Sequence, residues 1–387
     1  MLRKFKIVLL LFCSLLCFYL YINFQNQSLK LQAESKSDLS IKHKKSGIEK
    51  VEEEPVRQIQ ERYTQNRNSD IRENKIESDN EIIDCLPQQN VLFQEGISKK
   101  EHFLNYLVNL KASDKFTDKL ALLFHNPFDQ SKSNLQDYAT FHEESPLNKL
   151  IYKEILEICN KSFDEKICND DLFNKAKLID NNNAMFWHNI ATIKLKNNQI
   201  EEALLVLKEA NKKIEYSNYY YEKFEFIDNS LKEHSNLNYS ERFTVASGVS
   251  GAGYISSLLA IVEFCENNFF TEANITDTCY QTSLHLENQS KNYLPHIIGL
   301  ELQKIYHKYY KNSYMVDEVT SKLTTKMNLI RSKNYQKAES LIFFDEILAR
   351  DWLRLSLDKG EIISAEKLIE DATLYSKNPD YNPCPAL

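Results

Sequence analysis

The chain has 387 residues, of which 42% are hydrophobic and 27% charged, and its formal net charge is −7. This mild negative charge and the lack of a basic face argue against nucleic acid as a partner. Only seven glycines and eight prolines occur, which suits long helices joined by short turns better than a sandwich of tight hairpins. We therefore expect an all-α fold.

Residues 1–24 have the pattern of a membrane anchor or signal segment. Arg3, Lys4 and Lys6 precede an apolar run over residues 7–24, which is at the lower edge of the length of a membrane span. The best cleavage site, residues 31–33, has a bulky Leu31 where a small residue is needed. The pattern favours an uncleaved inner-membrane anchor, and a secreted or periplasmic protein after signal cleavage is the alternative. Both interpretations export the rest of the chain, because the positive charges stay inside.

Residues 25–81 are rich in Lys, Glu, Asp, Ser, Asn and Gln, and charges of both signs alternate. Such a segment buries too little apolar surface to offset the entropy of ordering it. We predict a disordered tether with a mean reach on the order of 40 Å. A docking segment that folds on a partner is the alternative, because residues 51–76 have some helix propensity.

From residue 82 to 387, apolar residues recur at helical spacing, which predicts an α-helical repeat domain. A glycine cluster at residues 247–253 lacks the Lys-Ser/Thr ending of a phosphate loop, so we interpret it as a helix start that packs closely on a neighbour. The predicted helix pairs are 101–110 with 116–124, 147–158 with 170–179, 187–195 with 203–210, and 255–266 with 270–286, and further helices are predicted over 219–231, 293–310, 316–332 and 334–349.

Residues 181–210 form the clearest unit, two helices separated by a polar break at residues 196–198. Their spacing resembles a tetratricopeptide repeat, although Lys194 stands where that family has Tyr. The resemblance implies an irregular stack of antiparallel helical hairpins, a tetratricopeptide-like α-solenoid whose curved surface binds other proteins. The residues expected to pack within this repeat are Trp187, Ile190, Ala191, Ala203, Leu207 and Ala210.

The C-terminal segment repeats part of this spacing. Trp352 and Leu353 occupy the places of Ile190 and Ala191, and Gly360 marks a turn. Ala365 and Ala372 follow at the interval of Ala203 and Ala210. The distance along the chain between the two units is not a whole multiple of about 34 residues. We therefore expect repeats of unequal length.

Six cysteines lie beyond the apolar run, an even number in a chain that we expect to be exported. Cys159 and Cys168 fall at facing ends of two predicted helices, as do Cys265 and Cys279, so each pair predicts a disulfide. Cys85 and Cys384 remain, and we expect them to join the two ends of the domain. Metal ligation would need a C-x-x-C spacing or a nearby His, and neither occurs.

The segments around Cys159 and Cys168, then Phe186-Trp187, Tyr219-Tyr220 and the Cys265 and Cys279 pair resemble uncharacterised exported helical-repeat proteins of Gram-negative bacteria. The resemblance covers roughly residues 147–303. It implies a periplasmic helical domain and carries no activity with it.

The sequence contains no catalytic motif that we recognise, and we expect no catalytic, cofactor or metal site. His142-Glu143-Glu144 lacks the second His of a zinc-protease helix, and helix capping accounts for Asp170 and Asp171. We expect His188, His285, His296 and His307 to be surface or half-buried residues. The function predicted is a protein-binding scaffold in the cell envelope, with a protein or peptide partner. The alternative is an all-α enzyme whose acidic and histidine residues converge only in space.

Overall fold

The computed structural model of this protein describes residues 81–94, 100–125, 132–164, 166–251, 256–269 and 271–386. Within these ranges the chain is all-α, as predicted, and its only β-type pairings are two isolated bridges. The predicted anchor (residues 7–24) and nearly all of the predicted tether (residues 25–81) lie outside the described residues. None of the described helices has both the length and the apolarity needed to cross a bilayer.

The described residues form seventeen helices. In chain order they are α1 (Leu86–Gln94), α2 (Lys100–Ala112), α3 (Phe116–Phe124), α4 (Lys132–Glu144), α5 (Lys149–Lys161), α6 (Asp170–Ile179), α7 (Ala184–Lys196), α8 (Ile200–Ala210), α9 (Tyr220–His234), α10 (Tyr239–Gly251), α11 (Ser256–Asn268), α12 (Ala273–Gln289), α13 (Tyr293–Tyr309), α14 (Ser313–Arg331), α15 (Lys333–Ile342), α16 (Glu346–Lys359) and α17 (Glu361–Ser376).

The predicted unit at residues 181–210 consists of α7 and α8, which pack against each other across a short turn. Asn183 caps α7, because its side chain accepts a hydrogen bond from the amide of Met185. Asn198 in the turn has φ 57°, a left-handed conformation that Asn tolerates well. Helix α7 also contacts α5, α6 and α11, so it is buried on most of its circumference.

The closest helix packing described is that of α12 on α13. A Cβ atom at Gly299 would lie 2.6 Å from both the amide nitrogen of Glu287 and the carbonyl oxygen of Ser283. Only a residue without a side chain permits this approach. The two helices therefore pack closely at Gly299, and the apolar residues Ile297 and Leu300 of α13 form a further cluster with Val319 and Leu323 of α14.

Several predicted helix pairs have different main partners in the structure. Helix α5 contacts α6, as predicted, but packs more extensively against α4 and α7. Helix α11 packs chiefly against α7, which is distant in sequence, whereas its predicted partner α12 packs on α13. The predicted pairs α5/α6 and α11/α12 are therefore in contact, but neither is the main packing pair. Burial of several apolar faces selects partners in space as well as along the chain.

Two predicted boundaries were wrong. The helix predicted over residues 334–349 is divided into α15 and α16, because the side chain of Asp345 accepts hydrogen bonds from the amides of Ile347 and Leu348 and begins a new helix. The described part of the glycine cluster, residues 247–251, does not start a helix: Gly248 and Gly251 lie in the last turns of α10. A Cβ atom at Gly248 would meet no atom within 4 Å, so this glycine serves no close packing.

Backbone hydrogen bonds join four of the connections between helices. Asn183 is bridged to Glu215, and Tyr216 is bridged to Ser290. The amide of Lys291 donates to the carbonyl of Tyr216 at 3.0 Å, and the amide of Glu361 donates to the carbonyl of Lys291 at 2.7 Å. These contacts form a series of backbone hydrogen bonds across four connections, here called the loop junction (residues 182–184, 215–218, 289–292 and 360–361).

Candidate functional sites

All six cysteines beyond the apolar run form disulfides, and the three pairs are those that the sequence predicted. The Cα atoms are 5.8 Å apart in Cys159–Cys168, 5.6 Å apart in Cys265–Cys279 and 5.5 Å apart in Cys85–Cys384, distances that are normal for the bond. The third bond joins the two ends of the helical domain. The amide of Ile83 supports this junction by donating to the hydroxyl of Ser376 at 2.9 Å.

Most of the residues predicted to pack within the repeats are buried. Gly360 begins α17 and is buried too. The aliphatic members of the set, each no more than 1% exposed, are Ile190, Ala191, Ala203, Leu207, Ala210, Ala365 and Ala372. The predicted packing role is therefore consistent with their positions on α7, α8 and α17.

The two tryptophans differ from the rest of this set, because both are only half-buried. Trp352 packs edge-on against Tyr221, with ring centroids 5.7 Å apart. Trp187 has the Nζ atoms of Lys213 and Lys177 at 4.2 Å and 5.2 Å from its ring centroid. Phe186, the residue before Trp187, is instead completely buried, so Phe186 fills the core position.

Two lysines and two glutamates form a buried cluster, here called the buried quartet (Lys153, Glu154, Glu157 and Lys223). The Lys153 ammonium lies 3.0 Å from a carboxylate oxygen of each glutamate, and the Lys223 ammonium lies 2.8 Å from Glu154. All four side chains are less than a tenth exposed. Such burial is rare for charged residues and requires pairing.

The two glutamates of the buried quartet differ in their pKa values. Burial alone would raise the pKa of Glu154, but Lys153 and Lys223 on two sides lower it to about 2. Burial raises the pKa of Glu157, which has one lysine and lies beside Glu154. The quartet has as many positive as negative groups, and each carboxylate has a lysine partner, so the arrangement supports packing rather than acid–base chemistry.

Aromatic and histidine side chains surround the buried quartet. The Lys223 ammonium lies 4.9 Å from the ring centroid of Phe124. The ring of His125 hydrogen-bonds to the hydroxyl of Tyr106 at 2.9 Å, and burial together with the charge of Lys223 lowers the pKa of His125 to about 3. Burial and the charges of Glu154 and Glu157 raise the pKa of Tyr138. These neighbours are therefore neutral at neutral pH.

The other acidic and histidine candidates are dispersed. His142 accepts or donates one hydrogen bond with the hydroxyl of Tyr152 at 2.6 Å. Asn169 caps α6, while Asp170 pairs with Lys194 and Asp171 with Lys175. Across the described ranges, no three His, Cys, Asp or Glu side chains come together as metal ligands.

The histidines are more buried than the sequence analysis expected. His188, His285 and His307 are at most 6% exposed, and only His296 is half-buried. The rings of His188 and His285 are perpendicular, with centroids 6.1 Å apart. His188 lies on α7, which is enclosed by four neighbouring helices. Its ring is therefore buried, although helical periodicity alone suggested a position near the surface.

An exposed cluster of tyrosines lies where α13 ends and α14 begins. Tyr280 stacks on Tyr306 with ring centroids 4.0 Å apart, Tyr306 lies 4.7 Å from Tyr310, and Tyr310 lies 5.2 Å from Tyr309. Tyr309, Tyr310 and Tyr314 are 50%, 54% and 74% exposed. We call these five residues the tyrosine surface.

A left-handed residue and a helix cap shape the backbone between Tyr309 and Tyr314. Lys311 adopts a left-handed conformation with φ 53° and ends the helix. The side chain of Asn312 then caps α14 by accepting from the amide of Met315. Tyr309, Tyr310 and Tyr314 are therefore held at two helix ends, which favours recognition without a large ordering cost.

The sequence analysis did not identify the buried quartet or the tyrosine surface. Lys153, Glu154 and Glu157 look like a solvated helix face, because their burial depends on α9 and on helices packed around α5. The adjacent Tyr309 and Tyr310, followed by Tyr314, were a visible signal. Their exposure was not visible, because tyrosines are common in cores as well as on surfaces.

Comparison of the chain with protein-family models, with curated proteins and with solved structures finds no match.

Proposed function

We propose that this protein is an exported, membrane-tethered helical-repeat protein that acts as a protein-binding scaffold in the cell envelope. The helical pairs α7/α8 and α16/α17 support the repeat hypothesis, because both pack across a short turn and bury alanines at the same interval. An irregular tetratricopeptide-like α-solenoid is the arrangement that we propose for the helices between and around them.

The proposed location of the helical domain is the periplasm, with residues 7–24 anchored in the inner membrane. The alternative is a secreted or periplasmic protein after signal cleavage. Three disulfides support export, because such bonds persist in oxidising compartments and are rare in the cytosol. They also agree with the basic residues and apolar run at the start of the chain.

The tyrosine surface is the observation on which the binding role rests. Exposed tyrosines that lie together on a rigid backbone are typical of the centre of a protein–protein interface. Each supplies a large apolar face and a hydroxyl that can form a hydrogen bond, at a small cost in side-chain entropy. We therefore propose that Tyr309, Tyr310 and Tyr314 contact the partner.

Site-specific crosslinking in cells tests this proposal. A photoreactive phenylalanine analogue is placed at Tyr310 or Tyr314 of the full chain, and at Leu205 as a control whose exposure, 64%, lies between those of the two tyrosines. We expect one crosslinked protein at both tyrosine positions and not at Leu205. The purified crosslinked protein should then bind the Tyr309→Ala/Tyr310→Ala variant at least about thirtyfold more weakly, the effect of losing a binding hot spot.

An unchanged affinity in that variant would reject the tyrosine surface as the binding site. Identical crosslinked products at Leu205 and Tyr310 would indicate random collisions and reject it as well. We do not propose the alternative of an all-α enzyme, because the carboxylates that converge in the buried quartet are each neutralised by a lysine.

A further inference from the structure

A second exposed surface surrounds Trp187. Two lysines lie against its ring, and each is followed in the chain by an aliphatic residue that is strongly exposed: Leu178 after Lys177, at 78%, and Ile214 after Lys213, at 66%. Helix α6 supplies the first pair and the turn after α8 supplies the second. We call these five residues the Trp187 surface.

Both lysines of the Trp187 surface lack a carboxylate partner. The Lys213 ammonium donates to the side-chain oxygen of Asn181 at 3.0 Å, and the Lys177 ammonium donates to that of Asn174 at 3.4 Å. Within the described ranges, no carboxylate lies within 4 Å of either ammonium. Neither ammonium is therefore part of an ion pair within the described ranges, although Asp170 attracts Lys177 and Glu209 attracts Lys213 electrostatically from a longer distance.

The acidic residues nearest in sequence are already paired with other lysines. Asp180 pairs with Lys149 at 2.8 Å, and Glu215 pairs with Lys291 at 2.8 Å. Glu209 pairs with Lys212. Among the described residues, the two ammonium groups of the Trp187 surface thus stay outside the short-range ion pairs.

We propose that the Trp187 surface docks on an anionic phospholipid bilayer. Exposed Leu and Ile side chains and a half-buried Trp beside lysines suit the boundary between headgroups and acyl chains, where the apolar groups insert and the ammonium groups meet lipid phosphates. A protein partner fits less well, because lysine is depleted in protein interfaces.

This inference rests on the membrane tether of the proposed function. The tether predicted from the sequence, with a mean reach on the order of 40 Å, would keep the domain at a high local concentration near the bilayer. A few apolar groups and two cations would bind a membrane weakly from solution. On a tethered domain the same contacts suffice to hold one face against the lipid.

The experiment uses the full chain in lipid nanodiscs. The chain has two tryptophans, so a Trp352→Phe variant leaves Trp187 as the lone indole fluorophore. Acyl chains brominated near the headgroup quench a tryptophan that lies at the membrane interface. We expect quenching in discs that contain anionic phospholipid to be at least about threefold that in zwitterionic discs, and to decrease in high salt.

Matched variants separate the charge of this surface from total charge. Lys177→Gln/Lys213→Gln should abolish the lipid-dependent quenching. Lys308→Gln/Lys311→Gln, which removes the same charge from exposed positions beside the tyrosine surface, should leave it unchanged. Lysine acetylation of the unmodified chain gives a second measure that needs no substitution: anionic discs should protect Lys177 and Lys213 at least about threefold more than Lys308 and Lys311.

Flotation distinguishes this inference from the tether on which it rests. Chains that float with discs, without anion-dependent quenching or lysine protection, would overturn the docking and leave the tether standing. Chains that float with neither zwitterionic nor anionic discs would overturn both. Equal quenching in the two lipid compositions would also overturn the docking, because attraction between the two lysines and lipid phosphates is its basis.

Discussion

Gly360 and Lys291 are in direct backbone contact. A Cβ atom on Gly360 would lie 2.9 Å from the carbonyl oxygen of Lys291, and Gly360 has φ +90°. Both facts exclude a side chain at this position. The contact lies beside the hydrogen bond from the amide of Glu361 to the same carbonyl, so it fixes the place where α17 joins the loop junction.

Gly360→Ala should therefore lower the free energy of unfolding by about 2–4 kcal/mol, from backbone strain and the clash with Lys291. Gly248→Ala is the matched control: it lies in α10 and its added methyl group would meet no atom within 4 Å. We expect the control to be neutral or to gain about 0.5–1 kcal/mol. Urea denaturation measures both. Similar effects at the two sites would contradict the proposed constraint.

Removing one charge of the buried quartet should destabilise the protein more than removing a lysine charge and a glutamate charge together. Lys223→Met leaves Glu154 with Lys153 as its only cation, and we expect a loss of about 3–5 kcal/mol in unfolding free energy. Adding Glu154→Gln restores the charge balance. The double variant should be at least about 1 kcal/mol more stable than the sum of the single effects, and additive effects would show that the two side chains act independently.

The three disulfides should differ in their contribution to stability. They close loops with sequence separations of 9, 14 and 299 residues for Cys159–Cys168, Cys265–Cys279 and Cys85–Cys384. On the chain-entropy model, replacing each pair by serine should cost about 2.5, 3 and 5.5 kcal/mol. Denaturation of the three double variants tests the order. If replacing Cys85 and Cys384 caused the smallest loss of unfolding free energy, the ends of the unfolded domain would have to stay close together without the bond.

His188 should make stability dependent on pH. Its ring is fully buried, both nitrogens lack hydrogen-bond partners, and burial and His285 lower its pKa from 6.5 to about 3. Below pH 6.5 the unfolded chain binds a proton that folded His188 does not. The free energy of unfolding contributed by this group is therefore present above about pH 6.5 and is lost as pH falls towards about 3.

His188→Leu removes this contribution. Relative to the unmodified protein, the variant should gain about 2 kcal/mol of stability between pH 7 and pH 5. Urea denaturation at several pH values measures this difference, and far-ultraviolet circular dichroism checks that the variant is folded. His296→Leu, at a half-buried position, is the control. Parallel pH profiles for the unmodified protein and His188→Leu would contradict the assignment.

Much of the local structure follows from sequence alone. Helical spacing predicted α7 and α8, and Gly360 predicted the turn before α17. The cysteines at the ends of predicted helices predicted the two disulfides with short sequence separations, because adjacent ends of an antiparallel helix pair lie close together. Asn169 and Asn183 also act locally, since a cap bonds to amides within three residues of itself.

The sites depend on contacts between residues far apart in sequence. Lys153, Glu154 and Glu157 are buried because other helices pack around α5, and α9 brings Lys223 to Glu154 from 69 residues farther along the chain. The surface around Trp187 arises because Lys213 reaches the ring from the turn after α8, while Phe186 takes the core position. Helical periodicity could not distinguish these two neighbouring aromatic residues.

The sequence by itself determined that this protein is helical, where many of its helices cap and turn, and which cysteines could be joined. Those features depend on backbone hydrogen bonds and side chains within a few residues of one another. Only the tertiary structure decided which charges are buried together, which helices are partners and which aromatic side chains stay exposed. The reason is that burial depends on every surface packed around a residue, and most of those surfaces come from distant parts of the chain.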